Sequence, residues 1–253
     1  MILFSIYISI IIIIIFIIIL IYIDGYKLTD YMNKINKDYI DKNEDLMKIE
    51  QNSRFFNISK NWILIRDEYI NYCNTYKTKV YRSRDIILPN AGIDIGDIPW
   101  ENIILRIYNK DTELIKYFPI TYNLIKDTCS FAMFSILPPG KIILPHFGPY
   151  NGIIRYHLGL IIPKDKENCF IIVNNKKYIW SEGNYILFDD TLYHYVANNT
   201  DETRVVLFLD LPRTFNNKFI NYINKFFLFI GKFNTTVDKQ VTSANNLEKI
   251  NEE

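Results

Sequence analysis

The spacing of apolar residues changes near Cys129. Upstream it is helical. Between 24 and 55 a polar, charged stretch carries Tyr31, Ile35, Tyr39, Leu46 and Ile49 at intervals that predict a helical stalk. Positions 61–76 read as an amphipathic helix opening a folded body. An irregular segment with Pro89, Gly92, Gly96 and Pro99 follows, then a second helix predicted over 119–127 with Pro119 in its first turn. Downstream, short apolar or alternating runs occupy 131–137, 142–147, 153–162, 169–173, 178–180, 185–188, 191–197 and 204–211, separated by turn residues such as Pro138-Pro139-Gly140. Regular short strands with this punctuation predict a mainly β, two-sheet roll or barrel. Segment 215–233 returns to helical spacing, with Phe219, Ile220, Ile223, Phe226, Phe227 and Ile230 interleaved with Lys218, Asn221 and Lys225. Such a helix packs on a sheet or lies on a membrane surface. The polar stretch 234–253 is expected to be loose.

Positions 2–23 form an isoleucine-rich run without a charge, about 33 Å long as a helix and enough to cross a bilayer core. No basic residue precedes it, and no small-x-small cleavage site precedes Asp24-Gly25. The expectation is a retained single-pass transmembrane anchor instead of a cleaved signal peptide. Lys27, Lys34 and Lys37 after the span favour a cytoplasmic body, whereas sequons at Asn57, Asn198 and Asn234 suit a lumen. The side of the catalytic domain stays open. The predicted organisation is an anchor over 1–23, a stalk over 24–55, a globular domain over 56–213, an amphipathic helix over 214–233 and a flexible tail over 234–253.

With a net charge of +1, nothing over the full length argues for a basic surface that binds nucleic acid, and no nucleic-acid partner is expected. Cys73, Cys129 and Cys169 are too few and too scattered for a disulfide framework or a zinc site. Phosphate-binding glycine loops, a nucleophile elbow and a His-Glu-x-x-His motif are missing from the sequence.

The candidate chemistry lies in three histidines, His146, His157 and His194, which are all the histidines of the chain. Two imidazoles and a carboxylate on one face of Fe(II) leave open positions for a cosubstrate and dioxygen. His146 and His194 have the required separation, but position 148, two after His146, is glycine. Asp189 and Asp190 lie close to His194, and in a strand Asp190 would point the same way as His194. Arg155 and His157, two apart in a strand-like run, share a face by the same alternation.

The order His146-x-Gly-Pro-x-Asn, Arg155-x-His157-Leu-Gly-Leu, Trp180-Ser-Glu-Gly183, Phe188-Asp-Asp, His194 and Arg204 resembles the aspartyl/asparaginyl β-hydroxylase family of Fe(II)/2-oxoglutarate dioxygenases, with weaker similarity back to Asn61-Trp62, Arg66-Asp67-Glu68 and Trp100. The resemblance implies a double-stranded β-helix of the jelly-roll, cupin-like kind. It makes His146 and His194 the iron ligands and catalytic centre, and gives Arg204, assisted by Ser135, the distal carboxylate of 2-oxoglutarate. Arg155, His157 and Trp100 would line the same cavity. Read alone, Ser135 and Trp100 suit an ordinary strand and core equally well, and Arg204 suits a surface arginine entering a buried strand. The family gives the acids near His194 a supporting role, and water or a small anion would take the position left by the missing carboxylate. With Fe(II), 2-oxoglutarate and dioxygen, the expected product is an alcohol. The expected substrate is an aspartyl or asparaginyl side chain of a peptide or protein. The alternatives are a lipid acyl chain, as for the related lipid A 2-hydroxylases, and a catalytically silent, membrane-tethered binding domain.

Overall fold

A computed structural model describes residues 25–41, 46, 53–76, 81–82 and 99–249. The predicted anchor lies outside the described residues, among which no helix is long and apolar enough to cross a membrane. The chain runs through helices α1 (Gly25–Lys37), α2 (Ser53–Lys60) and α3 (Trp62–Tyr76), strands β1 (Tyr81–Arg82), β2 (Glu101–Ile107) and β3 (Lys110–Asp111), and helix α4 (Pro119–Ile125). Then come β4 (Phe131–Leu137), β5 (Ile142–His146), β6 (Ile153–Ile161), β7 (Cys169–Val173), β8 (Lys176–Ile179), β9 (Tyr185–Phe188), β10 (His194–Asn198) and β11 (Arg204–Pro212). Helices α5 (Lys218–Gly231) and α6 (Thr235–Lys249) follow.

From β4 onward the strands alternate between two antiparallel sheets, except that the β7–β8 hairpin lies wholly in the smaller one. The larger has the order β1-β2-β4-β11-β6-β9, and the smaller β5-β10-β7-β8. Eight strands folded in this way make a jelly roll. Helices cover the larger sheet from outside: α3 packs on β6, α6 on β2 and α5 on β11. With both faces covered, β4 is buried at every position, as is β11 from Arg204 to Leu209. The smaller sheet has one face in the core, so β7 alternates buried and half-buried residues. Asn174 and Asn175 turn the β7–β8 hairpin with positive φ at both positions, the conformation that a two-residue loop between twisted strands demands.

Three expectations are corrected. The segment read as a stalk is docked over Gly25–Lys37: Met32 is buried with Tyr150, Phe227 and Leu228, and Asn33 donates to the Pro149 carbonyl at 2.8 Å. Two of the anchoring side chains are asparagines, so hydrophobic spacing alone understates the contact. The segment read as a loose tail is helical up to Lys249. Asn234 Oδ1 accepts from Thr236 N at 2.8 Å at its start, and Val237, Val241 and Ala244 are buried along one face. Finally, the strand expected over 191–197 begins only at His194, because Asp189 Oδ1 accepts from Thr191 N and Oγ1 and closes a turn.

Candidate metal centre

Strands β5 and β10 are neighbours, and their register sets His194 opposite His146. Cross-strand partners project to the same side, and the two imidazole centroids are 4.1 Å apart. One device fixes both rings: His146 Nδ1 lies 2.7 Å from the Leu144 carbonyl, and His194 Nδ1 lies 2.7 Å from that of Leu192. A carbonyl only accepts, so Nδ1 carries the proton and each Nε2 keeps its lone pair. Holding the ring from behind is the arrangement that metal-binding imidazoles use. Burial lowers the pKa of both, that of His194 to about 3 with His146 adding to the effect. Both rings are therefore neutral near pH 7 and free to ligate a cation.

The missing carboxylate of position 148 has a spatial substitute. Asp190 Oδ1 is 3.3 Å from His194 Nε2, and a Cβ built on Gly148 would lie 1.6 Å from Asp190 Oδ2. The backbone closes the same contact, with Gly148 N donating to the Asp190 carbonyl at 2.7 Å. Only glycine fits beside this side chain. Asp190 reaches the histidines from the turn before β10, not by the strand alternation expected of it. Asp190 Oδ1 is held by Arg155 Nη1, whereas Oδ2 has no hydrogen-bond partner among the described residues. Among the described residues no three His, Cys, Asp or Glu side chains form a metal-binding group, so the two histidines stand as a pair with Asp190 at their side.

The inner face of the larger sheet carries the other candidates. On β11, Arg204, Val206, Phe208 and Asp210 alternate onto one face. Ser135 pairs with Val206, His157 with Phe208, and Arg155 with Asp210. Arg204 is 1% exposed, stacks over the Trp180 ring at 4.8 Å, and leaves Nε and Nη1 without a hydrogen-bond partner among the described residues. Burial lowers its pKa to about 10. His157 is enclosed by Trp180, Phe188 and Phe208, with both ring nitrogens unpartnered among the described residues. Burial and then Arg204 hold its pKa well below the ordinary histidine range, so it is neutral. Ser135 Oγ accepts from Trp100 Nε1 at 2.9 Å, which brings those two together. Arg155 is placed differently. Its guanidinium bonds Asp210 (Nε–Oδ1 2.9 Å) and Asp190, so its charge is already balanced.

Buried polar atoms are nearly always satisfied. Among the described residues, Arg204, His157 and Trp180 keep unpartnered nitrogens, and Asn102, paired with Ser135, keeps an unpartnered Oδ1. Such a face suits a polar, anionic ligand. Around the histidines the exposed surface is apolar instead: Phe147, Leu192 and Tyr193 are exposed, and the Phe147 and Tyr193 rings lie 5.3 Å apart. Asp190, Asp210 and Asn102 are the residues that the sequence reading undervalued. For Asp210 the signal was available, since alternation from Arg204 along one strand puts it on the same face.

Residues 59–214, more than half of the chain, match the family described as aspartyl/asparaginyl β-hydroxylase. The chain belongs to this family. Among relatives, an ornithine lipid ester-linked acyl 2-hydroxylase of Rhizobium tropici is 39% identical over 131 residues, covering 50% of this chain and 47% of that protein. The human aspartyl/asparaginyl β-hydroxylase is 30% identical over 167 residues, covering 61% of this chain and 20% of that protein. The matches thus span about half of the bacterial relative and a fifth of the human one. Among solved structures, a predicted oxalate decarboxylase from Thermotoga maritima covers 54% of this chain at 13% identity and a TM-score of 0.32. That likeness is too slight to bear on the fold, which rests on the strand order alone.

Proposed function

We propose that this family member is an Fe(II)- and 2-oxoglutarate-dependent hydroxylase whose substrate is a lipid acyl chain. The observation that carries the cosubstrate reading is Arg204 on the larger sheet, a fully buried guanidinium with two nitrogens that have no hydrogen-bond partner among the described residues. An uncompensated buried charge is costly, and a carboxylate is the partner that its planar fork best accepts.

The residues present fit both groups. His146 and His194, neutral and fixed as Nδ1-H tautomers, would hold Fe(II) through Nε2. Arg204 would bind the distal carboxylate of 2-oxoglutarate, and the Ser135 hydroxyl, whose oxygen is occupied by Trp100, keeps its proton to donate to the same group. When bound, iron, cosubstrate and dioxygen supply oxidative decarboxylation to succinate and carbon dioxide together with insertion of one oxygen into a C–H bond. Arg155 holds Asp190 against the pair, so a negative charge stands beside the metal position without being free to move. Trp180, Phe188 and Phe208 keep water from the neutral His157.

The acyl-chain reading rests on the apolar rim of Phe147, Leu192 and Tyr193 beside the histidines and on the similarity to the Rhizobium lipid hydroxylase. A second reading, an aspartyl or asparaginyl side chain in a peptide, draws on the family itself and on the human relative. The deciding experiment incubates the full chain with Fe(II), 2-oxoglutarate and either lipid extracts or peptide pools, and follows succinate release and addition of one oxygen by mass spectrometry. Oxygen gained on acyl chains, and lost with His194→Ala, is the expected result. Oxygen confined to peptides selects the second reading. Neither iron uptake nor turnover would leave a silent binding domain in place of an enzyme.

A further inference from the structure

Helix α5 has two apolar faces. One is consumed by the fold: Ile220, Phe227, Leu228 and Ile230 are buried, and Asn224 donates to the Gly152 carbonyl at 2.8 Å. The other meets solvent. Phe219, Tyr222, Phe226, Phe229 and, just past the helix end, Phe233 recur at intervals of three and four and are 70%, 78%, 38%, 48% and 48% exposed. At the helical angle per residue they fall in one stripe about 80° wide. Lys218, Lys225 and Lys232 recur along one border of it, and the Lys232 ammonium sits 4.0 Å from the Phe229 ring centroid. No aspartate or glutamate occurs between Asp210 and Asp238. The fold gains nothing from exposing this row, and contiguous exposed apolar patches mark interaction sites.

We infer that this face docks on an anionic lipid bilayer. Aromatic rings seat at the headgroup level of a membrane, and lysines beside them reach the phosphates while their stems stay on the apolar surface. The acid-free sequence complements a negative surface, whereas apposing the same face of a second copy would bring two lysine rows together. Position in the chain points the same way. Helix α1 packs on α5 through Met32, Phe227 and Leu228, and the sequence entering α1 is the uncharged run 2–23. Through its buried face the same helix reaches the loop that follows His146, where Asn224 and Phe227 hold Tyr150. This inference does not rest on the chemistry proposed above, and lipid docking without turnover would leave it intact.

The test places the full chain carrying Tyr222→Trp in nanodiscs of phosphatidylcholine, with or without phosphatidylglycerol and with or without brominated acyl chains. The parent chain supplies the background of Trp62, Trp100 and Trp180. Nanodiscs expose both leaflets, so the helix meets lipid whichever side the body occupies. The added indole should emit to the blue and be quenched by bromine in the anionic discs. Replacing Lys218, Lys225 and Lys232 together by glutamine should lower the docked-to-undocked ratio by on the order of 100-fold. Lys218, Tyr222 and Lys225 are exposed and Lys232 is half-buried beside Phe229, and far-UV circular dichroism checks that the variants fold. Emission typical of indole in water, unaffected by bromine, overturns the inference. Equal quenching with and without phosphatidylglycerol overturns the anionic assignment, and a concentration-dependent blue shift in lipid-free detergent assigns the face to a second copy.

Discussion

Asp190 fills the space that a side chain at position 148 would occupy, with Oδ2 lying 1.6 Å from the Cβ that any residue but glycine would place there. Gly148→Ala must therefore displace a buried carboxylate that is bonded to Arg155. The expected cost is about 2–4 kcal/mol in unfolding free energy, with weaker Fe(II) binding in titration calorimetry. The exchange Gly148→Asp with Asp190→Gly returns an acid to nearly the same space, so it should recover stability that neither single variant keeps. Strictly additive losses would mean that the two positions do not share one volume.

Arg204 puts ligand binding in opposition to stability. Arg204→Met replaces an unpaired buried cation by an apolar chain of similar reach, so the ligand-free protein should gain about 1–3 kcal/mol. The same variant should lose the thermal stabilisation that 2-oxoglutarate gives the parent. A drop in melting temperature for the ligand-free variant would show that the guanidinium is satisfied in the fold and is not held ready for an anion.

Much of the roll is legible in the sequence because strands with one buried face must alternate, and turn residues such as Pro138-Pro139-Gly140 mark where they end. The same alternation places Arg155 and His157 on one face, and their pairing with Asp210 and Phe208 bears this out. The approach of Asp190 to the histidines is not legible, since it depends on the turn closed by Asp189 and on the empty space at Gly148. Nor is the docking of α1, where Asn33 and Asn36 do much of the contacting through Pro149 and Asn151. In a chain so rich in asparagine, no single one announces a tertiary role.

Glu68 joins two helices. Its carboxylate accepts from Ile120 N at 2.7 Å and from Thr121 N and Oγ1 at 2.8 and 2.7 Å, satisfying the free amides that open α4 and opposing the positive end of the helix. Glu68→Ala should cost about 1–2 kcal/mol in chemical denaturation, with Glu68→Gln losing less because it keeps one acceptor. Fe(II) affinity should not change in either variant. A parallel loss of metal binding would place this segment at the site and not in the scaffold.

Burial pushes the Cys129 thiol up to about 12, and it raises Cys169 as well, whereas Cys73 is half-buried on α3. At pH 8 roughly one Cys129 in 10⁴ is thiolate, the form that attacks alkylating reagents. Iodoacetamide should therefore label the native chain at Cys73 first and reach Cys129 only on unfolding, as peptide mass mapping would show. The raised pKa also fixes the sign of a stability term. The folded thiol keeps its proton above the pH at which the unfolded one loses it, so this contribution is whole below about pH 8.5 and fades as the pH rises toward 12. Urea unfolding of the parent should accordingly lose stability more steeply than Cys129→Ala between pH 9 and pH 11 (about two pH units). Equal slopes, or rapid alkylation of Cys129 in the native protein, would show that the thiol is open to solvent.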